Sequence, residues 1–384
     1  MPRLMFIFGT RPEAIKLAPL LHEARTHPDL ELVTVSTGQH RETLRPILDF
    51  FGIVPDIELD IMREEESLPA TFTRAMMHLE PLLLGAVPKP DAVLVQGDTT
   101  SALAAALTAA YCRLPVAHIE AGLRSGDFDQ PFPEEINRVL IDRVARWHFV
   151  PTDKARTHLL HEGFPPKSIY LTGNTVVDAL HWARDRLSAP ECAHIFTELK
   201  DLTNIDIRNG TPYLLVTAHR RESFGAGIAS ICEGLRRIAE DNPDLHILWP
   251  VHPNPKVVEI AETFLSDAPR VHLLPPVDYP VLLALLSHCR FVLTDSGGIQ
   301  EEAPSFNKPV LVLRSVTERQ ELVDVGGALL VGTDPDEIEA KTMDLLCDPA
   351  LYARLASVPN PFGDGHAAEK ILRALRADFA AARR

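Results

Sequence analysis

The 384-residue chain has no run approaching the ~20 apolar residues of a membrane span. Its apolar start, Met1–Phe8, is broken by Arg11 and Glu13 and reads as a buried first strand rather than a signal peptide. A cytoplasmic protein without a membrane partner is expected. Cysteine is sparse: Cys112, Cys192, Cys232, Cys289 and Cys347 are odd in number, far apart and without a CxxC pair. That pattern suits reduced thiols and supports neither a disulfide framework nor a zinc site. Basic residues are outnumbered, 38 against 53, and the net charge of −15 argues against a general nucleic-acid binder. Solubility is the plainer reading of that charge, although a local arginine cluster still permits an anionic small ligand.

Other absences concern cofactors. There is no GxxxxGK[ST] phosphate loop. The nearest approach to a dinucleotide fingerprint, Gly225-Ala226-Gly227-Ile228-Ala229-Ser230, lacks the last glycine and does not directly follow a strand. Histidines and cysteines form no metal-spaced cluster, and Asp127-Phe128-Asp129 reads as plain loop. Neither NAD nor a metal is expected, and no cofactor is assigned. Internal repeats and low-complexity tracts are also missing.

What remains is an ordinary globular balance, 46% apolar and 24% charged, in a chain long enough for two domains of roughly 180 residues. Short apolar runs alternate with amphipathic ones. Leu4–Phe8, Glu31–Ser36, Ala92–Val95, Val116–Ile119 and His148–Val150 read as strands. Helical spacing separates them at Glu13–Thr26, Arg41–Phe51, Leu68–Leu84, Ser101–Cys112 and Glu134–Ala145. From Arg184 to Thr211 the pattern is irregular, with a short helix at Ala193–Leu199. The alternation then resumes from Tyr213 to Leu313, and Ala367–Ala381 reads as a final amphipathic helix. The predicted class is α/β, with two doubly wound, Rossmann-like domains.

Open α/β sheets bind ligands at the carboxyl ends of their strands, so the residues there matter most. The first strand ends in Gly9-Thr10-Arg11-Pro12-Glu13-Ala14-Ile15-Lys16: glycine for a tight turn, proline for a helix start, and Arg11 and Lys16 as cations for an anion. Gln96-Gly97-Asp98 follows Ala92–Val95, and there an isolated Asp98 reads first as a cap for the following helix. Glu120 ends Val116–Ile119, and Glu134 or Glu135 opens a helix after a proline-rich loop, where the helix dipole favours an acid. Three such carboxylates in one half-domain exceed what capping explains. In the second half His219, Arg220 and Arg221 follow Tyr213–Thr217, pointing to phosphate and substrate contact. Ser296-Gly297-Gly298 between a strand and a helix reads as a phosphate cradle, with Glu302 placed for ribose hydroxyls and Arg314 and Arg319 after the next strand.

Together these segments resemble the non-hydrolysing UDP-N-acetylglucosamine 2-epimerases, a family of GT-B-like fold. The resemblance runs from GTRPEAIK at Gly9–Lys16 to NPFGDGHA at Asn360–Ala367, through QGDTTS, HIEAGLRSGD, FPEEINR, TGNTVVDAL, TAHRRESFG, PVHPNP, TDSGGIQEEAPS and TERQE. It implies reversible interconversion of UDP-N-acetylglucosamine and UDP-N-acetylmannosamine for cell-envelope polysaccharides, by elimination of UDP to 2-acetamidoglucal and re-addition. It also implies an interdomain cleft, a UDP-sugar substrate and a homodimer. By resemblance, residues 1–175 carry the catalytic carboxylates, 176–365 bind UDP, and 366–384 return as a helix to the N-terminal domain. Asp98, Glu120, Glu134 and His219 are then the catalytic set, with the base unassigned among them. Arg11, Lys16, Arg220, Ser296, Gly297, Gly298, Glu302 and Arg319 bind substrate, and Gln39, Glu42 and His252 form a candidate effector site. The chain departs from the family pattern at Val277 and Leu282, where Gln and Phe are usual around uracil. It departs again at Thr43 for Met, Glu65 near an expected Arg, and Gln320 for Pro. Three rivals are an epimerase of a modified UDP-sugar such as a diacetamido-uronic acid, a hydrolysing epimerase, and a GT-B glycosyltransferase or nucleotide-sugar binder.

Overall fold

The computed structural model describes residues 1–39, 41–63, 66–220 and 223–382, and of 41–43 the backbone alone. The chain forms two compact units, Met1–Ala179 with Phe362–Arg384, and Leu180–Pro361.

In the first unit β1 (Arg3–Phe8), β2 (Glu31–Ser36), β3 (Ile57–Glu58), β4 (Ala92–Gln96), β5 (Val116–Ile119), β6 (Trp147–Val150) and β7 (Ile169–Leu171) make one sheet. Every pairing is parallel and the order is β3-β2-β1-β4-β5-β6-β7. The central strands are buried along most of their length, because crossover helices cover both faces of a parallel sheet. Met5, Ile7, Val93, Val95 and Val116 pack with Ala102, Ala105, Ala106 and Ala109 of the helix Thr100–Tyr111. Small alanine side chains let that helix lie close to the sheet. Each larger aliphatic side chain fully buried here contributes about 1.5–3 kcal/mol.

The second unit repeats the plan with β8 (Tyr213–Thr217), β9 (His246–Pro250), β10 (Val271–Leu274), β11 (Val292–Thr294), β12 (Val310–Val312) and β13 (Ala328–Leu330). Its order is β10-β9-β8-β11-β12-β13, again parallel throughout. Leu214, Val216, Ile231, Leu235, Trp249, Leu293 and Leu311 centre its core. In both units the strand order reverses once, between β1 and β4 and between β8 and β11. These reversals are the switch points at which doubly wound sheets hold ligands.

Within Arg184–Thr211 the expected helix is present and runs longer than expected, from Ala193 to Thr203, and the preceding helix Thr175–Leu187 extends into the start of the segment. The last helix, Ala367–Ala382, belongs to the first unit. Asp178 caps its start, accepting from the Ala367 and Ala368 amides at 3.2 and 2.8 Å. Further along, Asp378 accepts from Trp147 Nε1 at 2.6 Å, and Phe379 meets the Trp147 ring edge-on. Among the described residues no helix is long and apolar enough to cross a membrane, and no group of three or more His, Cys, Asp or Glu is arranged to hold a metal.

Candidate active site

At the first switch point, Gly9 serves a different purpose from the tight turn expected of it. A Cβ there would stand 2.1 Å from Thr37 Oγ1 and 2.5 Å from Ser101 Oγ, so glycine permits close approach of neighbouring segments. Glu13, fully buried, accepts from the Gly9 and Thr10 amides at 3.0 and 2.7 Å and from Thr99 Oγ1 at 2.8 Å. It thereby ties the ends of β1 and β4 together. Burial pushes its carboxyl above the usual range, and those hydrogen bonds offset part of the rise.

The three expected carboxylates are held differently. Glu120 stands at the end of β5 at φ +68°, a conformation that costs a non-glycine residue about 1–2 kcal/mol. Its buried carboxylate accepts from Lys16 Nζ at 2.8 and 2.6 Å and from Gln96 Nε2. Lys16, expected as a phosphate contact, is thus placed on the carboxylate. Asp98 does not cap the following helix. Thr99 does so, accepting from the Ala102 amide, and Asp98 pairs instead with Arg138 at 2.5 Å. Glu134 opens the helix Glu134–Val144, and its Oε2 is buried with no hydrogen-bond partner among the described residues. Its neighbour Glu135 is structural, accepting from the Ser125 and Gly126 amides at 2.9 and 3.1 Å. Arg11 is exposed at the start of its helix.

At the second switch point Asp295 is wholly buried after β11. Its Oδ2 accepts from the His219 and Arg220 amides, both at 2.8 Å, and its Oδ1 lies 3.1 Å from His219 Nδ1. Burial alone raises such a carboxyl, but the hydrogen bonds from His219 and Arg220 outweigh it and hold Asp295 below the usual range. The His219 side chain is 38% exposed and stacks on His252, with ring centroids 5.8 Å apart. Burial, then the nearby His219, lower the pKa of His252.

Ser296-Gly297-Gly298 leads into the helix Gly297–Glu302, and the Ser296 hydroxyl makes no capping bond to it. A Cβ on Gly297 would stand 3.4 Å from Arg319 Cζ and 3.7 Å from a guanidinium nitrogen of Arg220, so two cations flank the glycine. Glu301 accepts from Arg319 Nε at 2.7 Å and lies 2.6 Å from its terminal nitrogen, while Tyr279 OH donates to Glu302 at 3.3 Å. Thr317 binds Gln300 and caps the Arg319 amide, which fixes that loop on the short helix.

Of the expected effector residues, Gln39 accepts from the Ser101 amide and hydroxyl at 3.2 and 2.7 Å, and His252 accepts from the Asn254 amide at 3.2 Å. The Glu42 side chain, His40, Glu65 and Arg221 lie outside the described residues. Sequence reasoning missed Asp295 and Arg138 as partners of His219 and Asp98. Both carried a signal. Asp295 precedes the Ser-Gly-Gly turn directly, and Arg138 lies one helical turn beyond Glu134, so both share a face.

Comparison with known proteins gives a consistent result. A family model described as UDP-N-acetylglucosamine 2-epimerase matches residues 22–376. The chain is 45% identical over 381 residues to the UDP-N-acetylglucosamine 2-epimerase of Salmonella typhimurium, covering 97% of this chain and 98% of that protein. The crystal structure of the Neisseria meningitidis UDP-GlcNAc 2-epimerase bound to UDP-GlcNAc superposes with a TM-score of 0.88 at 39% identity, covering 98% and 100% of the two chains. A putative UDP-N-acetylglucosamine 2-epimerase from Listeria monocytogenes also gives 0.88, at 38% identity, covering 99% and 97%.

Proposed function

We infer the function from one premise: this chain belongs to the UDP-N-acetylglucosamine 2-epimerase family. It interconverts UDP-N-acetylglucosamine and UDP-N-acetylmannosamine at carbon 2. One observation carries this reading: the first unit presents carboxylates after its strands and at a helix start, and the second sets two guanidinium groups beside a Ser-Gly-Gly turn. Asp98, Glu120 and Glu134 stand in the first unit, and Arg220, Arg319 and His219 stand in the second around Ser296-Gly297-Gly298.

That division suits elimination and re-addition. A base takes the carbon-2 proton, a double bond forms between carbons 1 and 2, and the bond from carbon 1 to the UDP oxygen breaks with its electron pair on UDP. An acid then returns a proton to the opposite face of carbon 2 as the UDP oxygen re-bonds to carbon 1. The proton acceptor and donor are drawn from Asp98, Glu120, Glu134 and His219, each transfer worth typically about 10²–10⁴-fold. Lys16 and Gln96 steady the Glu120 carboxylate, and Lys16 is assigned to the sugar nucleotide as well. Arg220, Arg319 and the Ser296–Gly298 turn hold the expelled UDP, with Arg11 adding charge and Glu302 accepting from ribose. Asp295 binds Nδ1 of His219 and leaves Nε2 for the substrate.

Five cysteines, all free, suit a cytoplasmic site of action. A homodimer is also part of the proposal: the helices Leu68–Gly85 and Thr100–Tyr111 leave Met77, Leu84 and Tyr111 exposed. Incubation with UDP-N-acetylglucosamine in deuterated water tests the mechanism. The manno isomer is expected with deuterium at carbon 2, and epimer lacking the label refutes proton exchange. Accumulating UDP with free sugar refutes the non-hydrolysing reading.

A further inference from the structure

We propose that Asp142 and His118 form a positioning pair that sets Asp98 and Glu120 for the proton transfers, a role that rests on the epimerase reading above. Both side chains are wholly buried. Asp142 lies on the helix Glu134–Val144, eight residues after Glu134 and four after Arg138, so the three share a face. Its carboxylate reaches the segment around Glu120 from both sides. Oδ1 is 2.6 Å from His118 Nδ1, two residues before Glu120. Oδ2 accepts from the Gly122 amide at 3.2 Å, two residues after it, and lies 2.8 Å from the Arg124 guanidinium.

The bracketed turn has reason to need this. Glu120 at φ +68° and Gly122 at φ +80°, either side of Ala121, are both left-handed positions, and a Cβ on Gly122 would meet the Ala155 carbonyl oxygen at 2.5 Å. A non-glycine residue keeps such a conformation only where its flanks are fixed. The other ring nitrogen of His118, Nε2, lies 2.8 Å from the Gly97 carbonyl oxygen, on the peptide immediately before Asp98. From the same helix Asn137 donates to the Asp98 carbonyl at 2.8 Å, and Arg138 holds the Asp98 carboxylate. One helix face therefore fixes two catalytic carboxylates, and His118 bridges the loops that bear them. Buried ionic clusters contribute little net stability compared with apolar packing, and setting geometry is their better-attested use.

Asp142→Asn keeps the size of the side chain and removes its charge. With active sites counted by UDP titration, so that unfolded protein does not enter, kcat is expected to fall about 30–100-fold while KM and UDP affinity stay within about threefold. Combined with Glu120→Gln, the loss should fall short of the product of the two single losses by at least about tenfold, because the positioned group is already disabled. His118→Gln, which breaks the bridge to Gly97, should reproduce the split between kcat and KM. Multiplicative losses, or normal kcat with only a lowered melting temperature, overturn the proposal and leave a purely structural cluster. Wild-type protein that does not epimerise UDP-N-acetylglucosamine fails the underlying reading. Wild-type turnover with both variants within threefold of it fails this proposal alone.

Discussion

Replacing Asp295 with asparagine tests the acid–base role of His219 through a single proton. Oδ2 of Asp295 accepts two backbone N–H groups at 2.8 Å, so the amide oxygen of asparagine must keep that place. The amide nitrogen then takes the position of Oδ1, 3.1 Å from His219 Nδ1. An amide nitrogen only donates, so Nδ1 has to release its proton and the ring carries it on Nε2 instead. The tautomer is reversed without moving a heavy atom. In a fully enclosed serine-protease triad this exchange costs about 10⁴ in kcat. Here the imidazole is 38% exposed and water supplies part of the lost contact. A kcat loss of about 10²-fold, or about 2.7 kcal/mol of barrier, is the expected result, with KM within about threefold. The Asp295 carboxyl is held below its ordinary value of 3.8, so its contribution to stability is present above that value. It is lost as pH falls through the lower folded value. Urea melts of wild type and variant should differ near neutrality and converge under acid. A variant turning over within threefold of wild type across the pH range refutes the tautomer argument.

Two further outcomes follow from the same geometry. Arg319→Met removes a cation 3.4 Å from the Cβ position of Gly297 and leaves Glu301, 4% exposed, without its guanidinium, so UDP should bind about 10–100-fold more weakly by calorimetry; unchanged affinity removes Arg319 from the phosphate site. Asp378→Ala strands the Trp147 Nε1–H and should cost about 1–3 kcal/mol in denaturant unfolding followed by tryptophan fluorescence, whereas an unshifted midpoint would show that the C-terminal helix is held by its apolar face alone.

The plan of two doubly wound sheets was legible because central parallel strands read as unbroken apolar runs, as in Leu4–Phe8 and Tyr213–Thr217. Edge strands carry no such mark. Ile57–Glu58 has two residues, and Ala328–Leu330 has three between Gly327 and Gly332, so pairing with a neighbour defines them more than composition does. At the site, Glu120 and His219 stood out as polar residues directly after buried strands, whereas Asp98, with a helix to cap, and Glu134, at a helix start, joined them through the family resemblance. Their partners did neither. Lys16 and Glu120 are 104 residues apart in sequence, and only the adjacency of their strand ends brings an ammonium onto that carboxylate. Likewise the choice of Thr99 over Asp98 as helix cap depends on Arg138 claiming the aspartate, a contact set by how a later helix crosses the sheet.

The chain leaves the first unit at Ala179 and re-enters it at Phe362. In genetic terms one unit is a continuous cassette and the other is split by it, with its last helix encoded some 180 codons downstream of everything it packs against. A gene cut cleanly at Pro361 would therefore spare the inserted unit and cripple its host. A ribosome also cannot finish the first unit until it has made the whole of the second.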